Sequence, residues 1–178
     1  RPGDVERVKA IGLKNYVEQQ LHPEQLADDP MRDRLARFQT LNKSTRELAE
    51  EYFLPALAER RLQKRQQGAA DETRPQDDAT SRQMRTPEQM EAIRAERSVL
   101  AELAQQKVLR AAYSERQLEE VLVDFWFNHF SVFAGKGATR LYLTEYERDA
   151  IRPHVLGSFR ALLGATAHSP AMLFYLDN

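Results

Sequence analysis

A chain of 178 residues, 42% hydrophobic and 30% charged, carries enough apolar material for one ordinary domain with a real core. A formal charge of −1 provides no global field to draw in nucleic acid or an acidic membrane surface, and the lack of cysteine removes disulfides, thiolate metal ligands and a cysteine nucleophile together. With seven glycines and no runs rich in Val, Ile and Thr the balance favours helices, and no apolar stretch approaches the roughly 20 residues needed to span a bilayer.

In chain order, Asp4 is placed to cap a short helix over residues 5–11, which Gly12 ends. A second helix puts Leu13, Tyr16, Val17 and Leu21 on one face before His22-Pro23 stops it. Asp29-Pro30 is a cap followed by proline at the first helical position, with Met31, Leu35 and Phe38 as its apolar repeat. Ser44 and Glu47 make a capping box, and Pro55 inside the following pattern should kink or locally end it. Residues 66–85 contain almost no large apolar side chain and are expected to form a flexible, disordered insertion. Thr86-Pro87 with Gln89 opens a long helix with a stripe of Met90, Ile93, Leu100, Ala104, Val108 and Ala111. Ser114/Gln117 and Thr144/Glu147 repeat the capping-box pattern. The second of these helices is expected to reach Arg152-Pro153 and resume from His154, and Ser169-Pro170 starts a last one. The expected fold is all-α, an irregular multi-helix bundle with one long disordered loop, formed by a single domain over 1–178.

The central helix carries "DFWFNHFSVF", with five aromatics between Phe125 and Phe133. On a helical wheel started at Leu118, Val121, Leu122, Phe125 and Val132 lie within roughly 60° of one direction, and His129 falls near 20°, among them. His129 is therefore expected to be buried and hydrogen-bonded, either as a packing residue or, with its pKa lowered by burial, as a base or metal ligand. Gln117, Glu120, Asp124, Asn128 and Ser131 form a polar stripe. It reads first as a solvent-facing strip, alternatively as a seam meeting arginines of a neighbouring helix. The "AGKG" stretch lacks the longer phosphate-loop pattern and reads as a turn after a helix end.

Further on, Glu145, Arg148, Asp149 and Arg152 share one face at helical spacing, first as exposed ion pairs worth roughly 0.2–0.5 kcal/mol each. Arg152, just before Pro153, also suits gripping a carboxylate or phosphate with its planar fork. The candidates for chemistry are His129, Asn128, Arg152 and His154; those for metal ligation are His129, Glu145, Asp149 and His154. Nothing in the sequence names a cofactor or a substrate. The basic run Arg60 to Arg65 sits at a helix C-terminus without an aromatic platform, which argues against nucleic acid.

The strings "GDVERVKAIGLKNYVEQQLHP", "ERQLEEVLVDFWFNHFSVF" and "IRPHVLGSFRALLGATAHSPAMLFYLDN" resemble a bacterial family, domain of unknown function 1800. The likeness covers nearly the whole chain outside 66–85, and the Trp126–Phe130 core and the ending from Ser169 are its specific parts. It implies a predominantly helical, exported protein longer than this chain, of which 1–178 is an N-terminal fragment. Relatives continue into a helix of the form R-E-L-x-E-L-H-T-L-G, absent here, so the chain would hold one wall of any active site, carrying Asn128-His129 and Arg152-His154. The resemblance assigns no catalytic residue. Two functions follow as expectations: a scaffold or partner-binding domain, whose partner is another protein or the missing C-terminal half, or part of a metal-assisted hydrolase. Convergence of His129, His154 and a carboxylate would favour the hydrolase. An exposed apolar patch on the last helices would signal a core completed by further chain.

Overall fold

A computed structural model of the chain describes residues 3–71 and 86–177 and, of residues 63 and 66–71, the backbone only. All regular structure among the described residues is helical, as the all-α reading expects. Helix α1 (Asp4–Ile11) and helix α2 (Leu13–Leu21) meet at Gly12, whose φ of 82° breaks the path between them. Gly3 rather than Asp4 occupies the cap position of α1. The apolar face expected of α2 turns outward, leaving Leu13 69% exposed, while Gln20 is buried. Gln20 can go inside because both ends of its amide are bonded: Nε2 donates to the Glu115 carbonyl at 2.9 Å and Oε1 accepts from the Leu118 amide at 3.0 Å.

Helix α3 (Asp29–Leu35) drives Met31 into the core, and Asp28 before it accepts from Ser114 Oγ at 2.8 Å and the Glu115 amide at 3.0 Å. Helix α4 (Thr45–Leu48) opens on the expected Ser44/Glu47 box, made in both directions. A wide π turn, Ala49–Phe53, separates it from helix α5 (Leu54–Asp71). The disturbance expected of Pro55 thus appears one turn upstream, where its missing N–H leaves the regular ladder open. Helix α5 runs through residues 66–71, and the remainder of the expected insertion, 72–85, lies outside the described residues.

Helix α6 (Pro87–Tyr113), opened by a reciprocal Thr86/Gln89 box, is the axis of the fold and packs on α3, α5, helix α7 (Gln117–His129) and helix α8 (Leu143–Glu145). Its buried residues are Gln89, Glu96, Val99, Leu103 and Gln106. The expected stripe is therefore on the wrong side in part: Met90 is 52% and Val108 69% exposed. The inward polar groups have partners. Glu96 sits between Arg60 and Arg140, the latter at 2.7 Å.

Ser114 does not form the expected box with Gln117. It is the buried C-cap of α6, and its hydroxyl serves Asp28 and the Arg116 amide instead. Thr144 likewise lies inside α8 rather than capping it. After α8 come a second π turn, Tyr146–Ile151, and a 3-10 turn, Arg152–His154. Helix α9 (Phe159–Ala167) starts on a Ser158 cap, later than the expected resumption at His154. Helix α10 (Pro170–Tyr175) begins on Ser169 as expected. The "AGKG" stretch is a turn with Gly137 at φ 53°, and Lys136 Nζ ties it to Asp177 at 2.7 Å. The main core joins Leu103, Val123, Val132, Leu143, Tyr146 and Ile151, and a smaller one joins Leu48, Phe53 and Val99. No helix among the described residues is long and apolar enough to cross a membrane.

Candidate functional site

Two surfaces of α7 hold the residues singled out by the sequence. On one, Val121, Phe125 and His129 follow each other at four-residue spacing and are all exposed, Val121 by 62% and Phe125 by 54%. The expectation that His129 is buried and hydrogen-bonded is overturned. Its ring lies open at the end of α7, stacked on Phe125 at 5.8 Å and edge-on to Trp126 and Phe130 at 5.4 and 5.0 Å. The wheel identified a true stripe, but the helix packs through Glu120 and Val123 on another side. Val132, counted into the stripe, follows the helix end and is buried separately. Trp126 carries the open surface to Phe159 of α9 at 5.7 Å, and Phe159 is itself 56% exposed. Leu163, Leu173 and Phe174 continue exposed apolar side chains along α9 and α10.

The other surface is a buried charged seam. Glu120, whose side chain is 7% exposed, accepts a two-pronged grip from Arg152 at 2.9 and 3.0 Å and a third bond from Arg110 at 3.1 Å. Glu147, at 1%, receives Arg152 at 3.2 Å and Gln106 at 3.0 Å through one oxygen. Its other oxygen makes no hydrogen bond among the described residues and faces Lys107 Nζ at 3.7 Å, within ion-pair range. Lys107 also reaches Asp124 at 3.4 Å and lies 3.6 Å above the Phe127 ring. So the polar stripe of α7 divides: Glu120 belongs to a seam with neighbouring arginines, while Asp124 and Asn128 are exposed. Burial works against the Arg152 cation, but Glu120 and Glu147 outweigh it and hold the guanidinium above its ordinary range. Its fork does grip carboxylates, and both belong to this chain.

The seam is possible because of the second π turn. Glu147 and Arg152 are five residues apart, which on an α-helix points them roughly 140° from each other. The wider turn brings both onto the side facing α6 and α7. Tyr146 precedes Glu147, donates to the Phe130 carbonyl at 2.8 Å, and is pushed by burial up to about 12.

The remaining candidates disperse. His154 Nδ1 is 3.0 Å from the Ala150 carbonyl in its own turn. Glu145 accepts from Thr45 Oγ1, and Asp149 is held by Arg148. Among the described residues, no three His, Asp or Glu side chains gather to hold a metal ion. Sequence reasoning missed Gln106, Lys107, Arg110 and Glu147 as members of the seam. The alternative reading of the α7 stripe as a seam reached Glu120, but its partners lie 10 and 32 residues away and left no local signal.

A family model described as a protein of unknown function (DUF1800) matches residues 1–178. No curated protein and no solved structure matches the chain.

Proposed function

Because the chain belongs to the DUF1800 family over residues 1–178, we propose that it is the helical scaffold of a larger body, with an open aromatic face that receives helices following residue 178. The observation that carries this reading is the contiguous exposure of Val121, Phe125 and His129 on α7 with Phe159 and Leu163 on α9. Both rows have four-residue spacing, the ridge that settles into the groove of another helix. Contiguous apolar surface of this kind marks a docking site. The charged seam supports the same role, since its groups are spent on one another and fasten α7 to α6. Participation in a metal-assisted hydrolase requires ligands from outside the described residues. Export, implied by the family resemblance, belongs to this proposal; co-release of the extended protein with a periplasmic marker is the expected result.

The test is Phe159→Glu, made both in the 178-residue chain and in the chain extended past residue 178. A charge forced into a covered apolar contact should cost the extended chain about 2–4 kcal/mol in urea unfolding. The 178-residue chain should lose no more than about 1 kcal/mol, the scale of the Phe159 ring contacts with Trp126 and Phe130. Equal stability of both extended forms would overturn the reading. Concentration-dependent dimers abolished by the substitution would assign the face to a second copy instead.

A further inference from the structure

A cavity of about 450 Å³ lies between α3, α6 and the segment from Thr144 to Arg152, in the range of small-molecule pockets, roughly 300–1,000 Å³. Its lining is amphipathic. Met31, Leu35, Ala36 and Leu41 supply apolar surface, while Arg110, Arg116, Arg148 and Arg152 bring four guanidinium groups. With Arg32 counted, five arginines face three carboxylates, those of Asp28, Asp29 and Glu147. These acids are already engaged: Asp28 by Ser114 and Glu115, Asp29 by Arg32 at 3.0 Å, and Glu147 by Gln106 and Arg152.

Two groups in the lining are left over. Arg116 anchors its Nε and Nη2 on the Leu26 carbonyl at 3.2 and 2.9 Å, and among the described residues no carboxylate lies within ion-pair distance of it. Thr144 is 1% exposed, and among the described residues its hydroxyl has no hydrogen-bond partner. Buried hydroxyls ordinarily have one, and an unmatched exception points to a group that completes the site. A cation in ion-pair contact with no carboxylate of the described residues, although it acts on Glu119 electrostatically, a buried hydroxyl without a partner among them and an apolar wall share one cavity.

We propose that this cavity binds a small organic anion, a carboxylate or phosphate monoester on a short apolar body. Arg116 pairs with the headgroup, Thr144 Oγ1 hydrogen-bonds to a polar atom of the ligand, and the body lies against Met31 and Leu41. This site is separate from the aromatic face, and its test does not depend on what covers that face.

Titration calorimetry on the whole protein with hexanoate, hexyl phosphate and the neutral hexanamide decides the matter. Saturable one-to-one binding of at least one anion, with none of the amide, is expected, and the preferred anion identifies the headgroup. Arg116→Gln should weaken that binding about tenfold or more, the scale of a lost charge-assisted hydrogen bond. Thr144→Val should also weaken it while leaving the unfolding midpoint of the ligand-free protein unchanged or higher, which a purely structural threonine would not do. Equal binding of hexanamide, absence of saturable binding by both anions, or unchanged affinity in the Thr144→Val protein would each overturn the proposal.

Discussion

The two sides of α7 invert the usual arrangement. Glu120 is inside, in a seam with Arg110, Arg152 and Glu147, while Phe125 and His129 are outside on the same helix. Hydropathy alone predicts the reverse. The difference teaches that burial here follows the supply of partners. Glu120 finds three bonds from two arginines, and that satisfaction makes a buried carboxylate tolerable. Phe125 needs only an apolar neighbour, and within these residues it has ring contacts on its own helix and no cover above them. One side is a finished joint; the other is a surface awaiting contact.

The largest test of that contrast is Arg152→Ala. It removes two of the three bonds to Glu120 and leaves Glu147 with Gln106 and Lys107 alone, and breaking a buried pair in this way costs about 3–5 kcal/mol. Urea unfolding measures it, and a loss below about 1 kcal/mol would mean that water reaches the seam. On the opposite side, His129→Ala removes ring contacts from an exposed position and should cost no more than about 1 kcal/mol. A loss comparable to that of Arg152→Ala would return the imidazole to the interior.

The smallest expected effect sharpens the boundary between the two sides. Burial pushes the Glu119 carboxyl above its ordinary range despite the pull of Arg152. The folded protein then holds this proton to higher pH than the unfolded chain. Stability is fullest below the unfolded value and declines as pH rises through the folded one. Glu119→Gln should flatten that decline between acid and neutral pH, raising the neutral unfolding midpoint slightly; an unaltered pH profile would show that the carboxyl is well hydrated.

Local signals were legible and long-range ones were not. The Ser44/Glu47 and Thr86/Gln89 boxes formed as read, because each needs only groups within three residues. Ser114/Gln117 has the same pattern and failed: the serine hydroxyl donates to Asp28 across 86 residues of sequence and accepts from the Arg116 amide rather than from that of Gln117. Thr144/Glu147 failed because Gln106 and Arg152 hold the glutamate on another side. The wheel of α7 located a genuine apolar stripe, yet a wheel cannot say which stripe is covered when polar groups elsewhere on the helix have better partners. For the same reason α6 turns Glu96 and Gln106 inward and leaves Val108 out. Glu147 with Arg152 escaped notice because a search at α-helical offsets passes over residues five apart.

The second π turn also governs how the chain tolerates changes of length. Deleting one residue between Glu147 and Arg152 would let the segment relax to ordinary α-helical bonding and leave the two four positions apart, roughly 40° from each other and still on the seam side, whereas adding one would upset the pairing. Lineages that carry the seam should therefore show this stretch at its present length or one residue shorter, even where its identities drift, while other gaps and additions collect elsewhere.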